Sequence, residues 1–236
     1  MQAIFLKGSM GRGEHDAHSD IDLYCLVNEE DKEKFLSNRM KHVHAYRDTI
    51  LMEDIFIVAP QIIAIYDDML HIDLFTVTKE SFVGGDHFDV LYDPENVMDA
   101  FLHTQGLTIS GEQYRDDVLD VAWFLYQYEQ SAARGNDIWS VRMLTNVVNH
   151  LGRVLLFRYT PERAALGLKT LERSLPESVV LELEEVMEFI TPRKHAQAVK
   201  RISELLEQEV EWMQAQFAED EQIMRFMRLM IGVCGE

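Results

Sequence analysis

Two carboxylates two residues apart, Asp20 and Asp22, lead into the apolar run Ile21 to Val27 ("IDLYCLV"), and ten residues separate them from the pair Gly8-Ser9. Successive side chains of a strand point to opposite faces, so Asp20 and Asp22 share one side while Ile21 and Leu23 share the other. Carboxylates placed in this way repel each other, and a divalent cation relieves the repulsion. Mg²⁺ commonly takes one or two carboxylates together with substrate phosphates. Taken by itself, a D-x-D also describes a strand that starts at a solvated edge. The residues before it add to the first reading. Gly8, Gly11 and Gly13 let a backbone approach a phosphate closely. Exposed N–H groups at a turn or helix start bind such a group, the Ser9 hydroxyl is a further donor, and Arg12 adds charge. The spacing is neither the G-x-x-x-x-G-K-[ST] of a Walker loop nor the G-x-G-x-x-G of a dinucleotide fold.

A third acid, Asp73, interrupts the apolar stretch "HIDLF", with Ile72 and Leu74 on the core side. It reads either as an edge-strand carboxylate facing water or, if its strand lies beside Ile21–Val27, as a third carboxylate on the face of Asp20 and Asp22. Three converging carboxylates hold metal for phosphoryl or nucleotidyl transfer. His71, two residues earlier, either shares the side of Asp73 or sits at a hairpin turn. His15, Asp16 and His18 ("HDAH") are metal-ligand types in a polar loop, for which exposure to solvent is the ordinary reading.

The elements that must position these groups fall into two regions. Ala3–Lys7 and Ile21–Val27 are short β-type runs, and Glu29 to about Arg47 reads as a charged surface helix. Residues 62–66 and 71–77 form a hairpin around "DDML", and residues 89–92 add a last strand stopped by Pro94. From about Tyr114 the spacing becomes helical, with a helix ending at Gly135, another from Asn136 or Asp137 to Thr160-Pro161, and amphipathic segments near 177–190, 194–217 and 220–231. The chain is thus expected to be α+β: a mixed β-sheet with flanking helices over residues 1–108, followed by a helical bundle over 109–236.

Within the helical half Trp139, Arg142 and Asn146 share one helix face. Arg142 either reaches a bound triphosphate or pairs with an acid in the bundle beside a core Trp139. Glu129 reads as an exposed helix acid, or as an acceptor-side carboxylate or general base. The Met-rich "IMRFMRLMIGV" suits bundle core or a dimer contact.

The net charge of −19 argues against a nucleic-acid backbone as the main partner. It is compatible with a cationic small substrate and equally with an ordinary soluble surface. No run approaches a membrane span, and the polar start "MQAIFLKGSM" is not a signal peptide. The cysteines, Cys25 and Cys234, lie far apart and suggest no disulfide framework, so a reducing, cytoplasmic address is expected.

The segments "GSMGRGEHDAHSDIDLYCLV", "IYDDMLHIDLFTVT" and "VLYDPEN" together resemble the nucleotidyltransferase fold of the DNA polymerase β superfamily. Within it the chain is similar to small antibiotic nucleotidyltransferases of the lincosamide type and, more loosely, the aminoglycoside type. "ARGNDIWSVRML" resembles a segment of their helical domains. The resemblance implies that Gly8 and Ser9 hold the β- and γ-phosphates of ATP, that Asp20 and Asp22 bind Mg²⁺, and that Asp73 is either a further ligand or the base for an acceptor hydroxyl. The implied reaction is transfer of AMP to a hydroxyl of a small molecule. The alternatives are a protein side chain as acceptor, or a catalytically silent nucleotide-binding regulator. Relatives usually carry a helix before the first strand; here the strand starts almost at Met1, so either this start is too late or the helix is dispensable, and if that helix packs on the sheet in relatives the surface is open to a partner or a homodimer contact.

Overall fold

β-branched and aromatic residues favour a pleated, half-buried surface, and the runs rich in them become strands: β1 (Ala3–Leu6), β2 (Ile21–Leu26), β4 (Pro60–Tyr66), β5 (His71–Val77) and β6 (Asp89–Tyr92), with β3 (Thr49–Phe56) beside them. The computed structural model describes residues 1–217 and 221–235. It divides into two compact units, Met1–Gly106 and Leu107–Glu236.

The first unit is built on a six-stranded sheet of order β3-β4-β5-β2-β1-β6. Only β2 and β5 run parallel; the other neighbours are antiparallel. A parallel pair needs a crossover, and here it consists of α2 (Lys32–Leu36), α3 (Arg39–Val43), β3 and β4. Both sheet faces are buried in the middle. Leu74 and Cys25 pack with Ile62 and with Val43 of α3, while Tyr24, Phe75 and Phe5 pack with Phe82, Phe88 and Met98 on the other side. Met98 belongs to a 3-10 segment over Val97–Thr104, whose first N–H groups are taken by the Asp93 carboxylate at 2.9 and 2.8 Å.

The charged stretch from Glu29 to Arg47 is not the single surface helix that its sequence suggests. It forms a 3-10 turn, Glu29–Asp31, followed by the short α2 and α3. The break is local. The Asn38 amide and the Ser37 hydroxyl both donate to the Lys34 carbonyl, at 2.8 and 2.9 Å, which is the acceptor that the Asn38 N–H would use to continue the helix. β3 was hidden for a different reason: as an edge strand it leaves Ile50, Leu51 and Phe56 exposed, so its polarity does not alternate cleanly. Its Asp54 holds the buried Arg39 of α3 in an ion pair.

The second unit is helical: α4 (Gly111–Ala132), α5 (Asp137–Tyr159), α6 (Leu171–Ser174), α7 (Glu177–Phe189), α8 (His195–Gln216) and α9 (Glu221–Gly235), with a 3-10 stretch over Pro161–Thr170. Residue 220, included in the last helix by the sequence pattern, lies outside the described residues. α4 starts before Tyr114, because Ser110 and Gln113 form a reciprocal capping box. Gly135 turns the chain towards α5 at φ +68°, a conformation that suits glycine. Leu144, Leu151, Leu155, Ile202 and Leu206 are fully buried, and the Met-rich stripe joins them: Met224, Met227 and Met230 belong to the bundle core. No helix among the described residues is long and apolar enough to cross a membrane.

Replacing Ser110 with Ala removes the hydroxyl that accepts from the Gln113 N–H, and should lower the stability of the helical unit by about 1 kcal/mol. Urea denaturation followed by helical circular dichroism checks this.

Candidate functional site

The parallel register sets Ile21 beside Ile72, Asp22 beside Asp73 and Leu23 beside Leu74. Asp22 and Asp73 therefore project from adjacent strands on one face, the face of Tyr24 and Phe75. The aromatic pair next along closes that face with rings stacked 4.3 Å apart, so the acids stand at its open end. β5 lies between β4 and β2, which removes the edge-strand reading of Asp73.

Asp20 immediately precedes β2 and His71 begins β5. The imidazole Nε2 lies 3.2 Å from Asp73 Oδ1, and Nδ1 lies 3.9 Å from Asp20 Oδ2. Each of Asp20, His71 and Asp73 offers one ligand atom within 4.8 Å of the others. His71 is held by the β4–β5 turn, where the Leu70 N–H donates to Asp68 Oδ1 at 3.1 Å and Met69 takes φ +67°.

Asp22 is fixed from the other side by the loop after β1. The Lys7 N–H donates to the Asp22 carbonyl at 3.0 Å. Gly8 then adopts φ +62°, and a Cβ built there would lie 2.1 Å from Asp22 Oδ2. A side chain at this position would have to displace the carboxylate, and the positive φ independently favours glycine. Ser9 follows in the short turn α1 (Gly8–Gly11), and its Oγ is buried without a hydrogen-bond partner. A buried hydroxyl normally finds a partner, so this loop has the form of a cradle with an unused donor.

The electrostatics point the same way. Burial, then the charges of Asp20, Asp73 and Asp86, hold the Asp22 carboxyl above the usual carboxylate range, with His71 opposing them. Burial lowers the Lys7 ammonium against the attraction of Asp86 and Asp22. Its Nζ lies over the rings of Tyr24 and Phe82, 5.4 and 5.2 Å from their centroids. Arg12 is engaged by Asp86 and by Glu14, the latter at 3.1 Å. A cavity of about 580 Å³ opens beside Asp20 and His71, its wall also including His18, Tyr46 and Asp68 but not Asp22 or Asp73.

Residues 2–69 match the family model of the nucleotidyltransferase domain. This supports the nucleotidyltransferase superfamily for the stretch that carries Gly8, Ser9, Asp20 and Asp22; Asp73 lies just beyond its end. The mixed sheet followed by helices has the α+β architecture of that fold. No curated protein matches the chain. A nucleotidyltransferase domain supports transfer of a nucleotidyl group in general terms. The group whose ligand atoms converge, the carboxylates of Asp20 and Asp73 with the His71 imidazole, could hold the divalent ion that such domains typically use; Asp22 lies beside Asp73 in register but is not in that group.

The other sequence candidates fall elsewhere. His15 and His18 are exposed, and the His18 N–H donates to Asp16 Oδ1 at 2.8 Å in a local turn. Arg142 is exposed on α5 and makes no ion pair among the described residues; Trp139 is 56 % exposed and so is not core. Glu129 is half-buried rather than an exposed helix acid, and accepts from Cys234 Sγ at 3.5 Å. His71, by contrast, is brought into the cluster, and its spacing of two from Asp73 was the signal for it.

The raised Asp22 carboxyl means that the folded chain holds this proton more readily than the unfolded chain. The metal-free protein should therefore gain stability as pH falls towards the range just above the ordinary Asp value, and lose that increment as pH rises again. Asp22→Asn should remove this dependence and raise the melting temperature at neutral pH without metal. Thermal melts across pH in a chelating buffer check both outcomes.

Proposed function

We propose that the chain transfers a nucleoside monophosphate, AMP from ATP, to a hydroxyl of a small molecule in an Mg²⁺-dependent reaction. The observation that carries this reading is the lateral pairing of Asp22 with Asp73 beneath Gly8, with the unpartnered Ser9 hydroxyl alongside. Asp20, Asp22 and Asp73 would hold the metal, which when bound neutralises charge on the reacting phosphate and the departing pyrophosphate.

The chain's own groups have distinct tasks in this reading. Gly8 and the Ser9 hydroxyl bind and orient the triphosphate tail, so that the α-phosphorus faces the acids. The acceptor hydroxyl attacks that phosphorus and releases its proton to solvent water, the bond from phosphorus to the bridging oxygen breaks, and that oxygen leaves with pyrophosphate. Asp73, with His71 on its Oδ1, serves as metal ligand in preference to base. The acceptor occupies the cavity beside Asp20 and His71, where Asp20 and Asp68 favour a cationic molecule. Hydroxylated amines of the lincosamide or aminoglycoside antibiotic kind are the first acceptors to try. Arg12 enters as a phosphate contact only by exchanging its acidic partners; the assignment of Arg142 to the triphosphate rests on sequence alone.

Calorimetric titration of ATP, with and without Mg²⁺, tests the reading on the wild type and on Asp22→Ala. Metal-dependent binding should be present in the first and lost in the second, with pyrophosphate release in an acceptor screen falling about 100-fold or more. Absence of nucleotide binding under every metal condition would overturn it. Binding without turnover on any small acceptor points instead to a regulator or to a protein acceptor. Ser9→Ala should weaken ATP binding about three- to tenfold, the loss of one hydrogen bond, while leaving the melting temperature of the free protein unchanged or higher.

A further inference from the structure

His71 stands in an unusual position for an imidazole beside carboxylates. Its two ring nitrogens face two different acids, Asp73 at 3.2 Å and Asp20 at 3.9 Å, and its polar contacts among the described residues go to these acids alone. The cluster is graded in exposure: the Asp73 side chain is 13 % exposed, whereas Asp20 and His71 open towards the cavity. An ion has an entry path from that side. A histidine that ligates a metal through one ring nitrogen typically gives the other to a carboxylate or carbonyl, which fixes the ring. Here both facing acids are themselves candidate ligands, so an ion that enters between them takes the place of a ring contact.

The donor chemistry carries a consequence for the metal. Mg²⁺ binds oxygen and dehydrates reluctantly, so an all-carboxylate centre suits it. An imidazole in the set moves preference towards the first-row transition ions, whose affinity for nitrogen donors exceeds that of Mg²⁺. We propose that His71 is a metal ligand together with Asp20 and Asp73, forming a mixed nitrogen–oxygen position that takes Mn²⁺ in preference to Mg²⁺. This inference rests on the nucleotidyl-transfer reading of the same acids but is separable from it. The competing account makes His71 a counter-cation that stabilises the acids in the metal-free protein and leaves when an ion arrives. The two accounts differ in sign: removal of a ligand weakens Mn²⁺ binding, whereas removal of a competing cation strengthens it.

The test uses the full chain with Mn²⁺ alone as probe. Free Mn²⁺ is quantified by its electron paramagnetic resonance signal for the wild type, His71→Gln and His71→Asp, each first checked for an unchanged melting profile. The wild type should bind Mn²⁺ at least about tenfold more tightly than Mg²⁺, and His71→Gln should lose about ten- to 100-fold in Mn²⁺ affinity. His71→Asp should restore divalent binding while erasing the preference for Mn²⁺. Pulsed measurements on the bound ion should show coupling to an imidazole nitrogen in the wild type that is absent in His71→Gln. Equal or tighter Mn²⁺ binding by His71→Gln, or no nitrogen coupling in the wild type, overturns the inference. If that result comes while Asp22→Ala still abolishes Mg²⁺-dependent ATP binding, the transfer reading stands without it. If the wild type binds no divalent ion with or without ATP, both fail.

Discussion

Two like charges on neighbouring parallel strands are the constraint around which the first unit is arranged. Asp22 and Asp73 share a register position, so neither can move away without shifting a whole strand, and a shift of one residue would turn every side chain to the opposite face. Burial on one side and Asp20 on the other make the repulsion worse, as the raised Asp22 carboxyl records. Apolar packing further along holds the geometry. Tyr24 stacks on Phe75, Phe5 stacks on Tyr24 at 5.3 Å, and Phe82 and Phe88 close the edges. The strands are held by their hydrophobic stretches while their acidic ends stay mutually unfavourable. Such strain stored at one place is what a binding site for a cation and a polyphosphate requires.

The loop after β1 completes the arrangement through a missing side chain. Gly8 lets the backbone come against the Asp22 carboxylate, and the chain then turns so that the Ser9 hydroxyl is enclosed without a partner. Lys7, just before it, carries the opposite charge but is turned aside onto the rings of Tyr24 and Phe82. Its cation balances the acids at a distance without occupying the place between them. Arg12 is likewise tied back by Asp86. The positive charge of Lys7 and Arg12 is therefore arranged around the opening rather than in it.

Much of this was legible in the sequence because it depends on local spacing. The D-x-D at the mouth of a strand, the Gly-Ser ahead of it and the hairpin that carries Asp73 all follow from side-chain alternation and turn chemistry. The adjacency of β2 and β5 does not, since a crossover of several elements separates them and no local pattern records which strands become neighbours. That is why Asp73 also read as an edge carboxylate and His71 as a turn residue. The broken stretch after Glu29 failed for a smaller reason: two side-chain hydrogen bonds to the Lys34 carbonyl outcompete a helix that charge patterning alone would extend. β3 went unassigned, and of the two readings of Arg142 the one beside a core Trp139 does not hold, because exposure of large apolar residues is set by what lies next to them, which composition does not reveal.

The crossover between β2 and β5 also has a bearing on the order in which the molecule is made. The β3–β4 and β4–β5 pairings are local and close over short loops, and β2 pairs with β1 across residues 7–20, whereas β2 and β5 meet only across the whole intervening crossover. Non-local pairings are entered late because their loop entropy is lost before their contacts are gained. The repulsive acids thus meet through the same non-local pairing that brings the hydrophobic stretches of their two strands together. The site is thus tied to a contact that the local meander cannot make by itself, and the acids come together only as part of the non-local closure of the sheet.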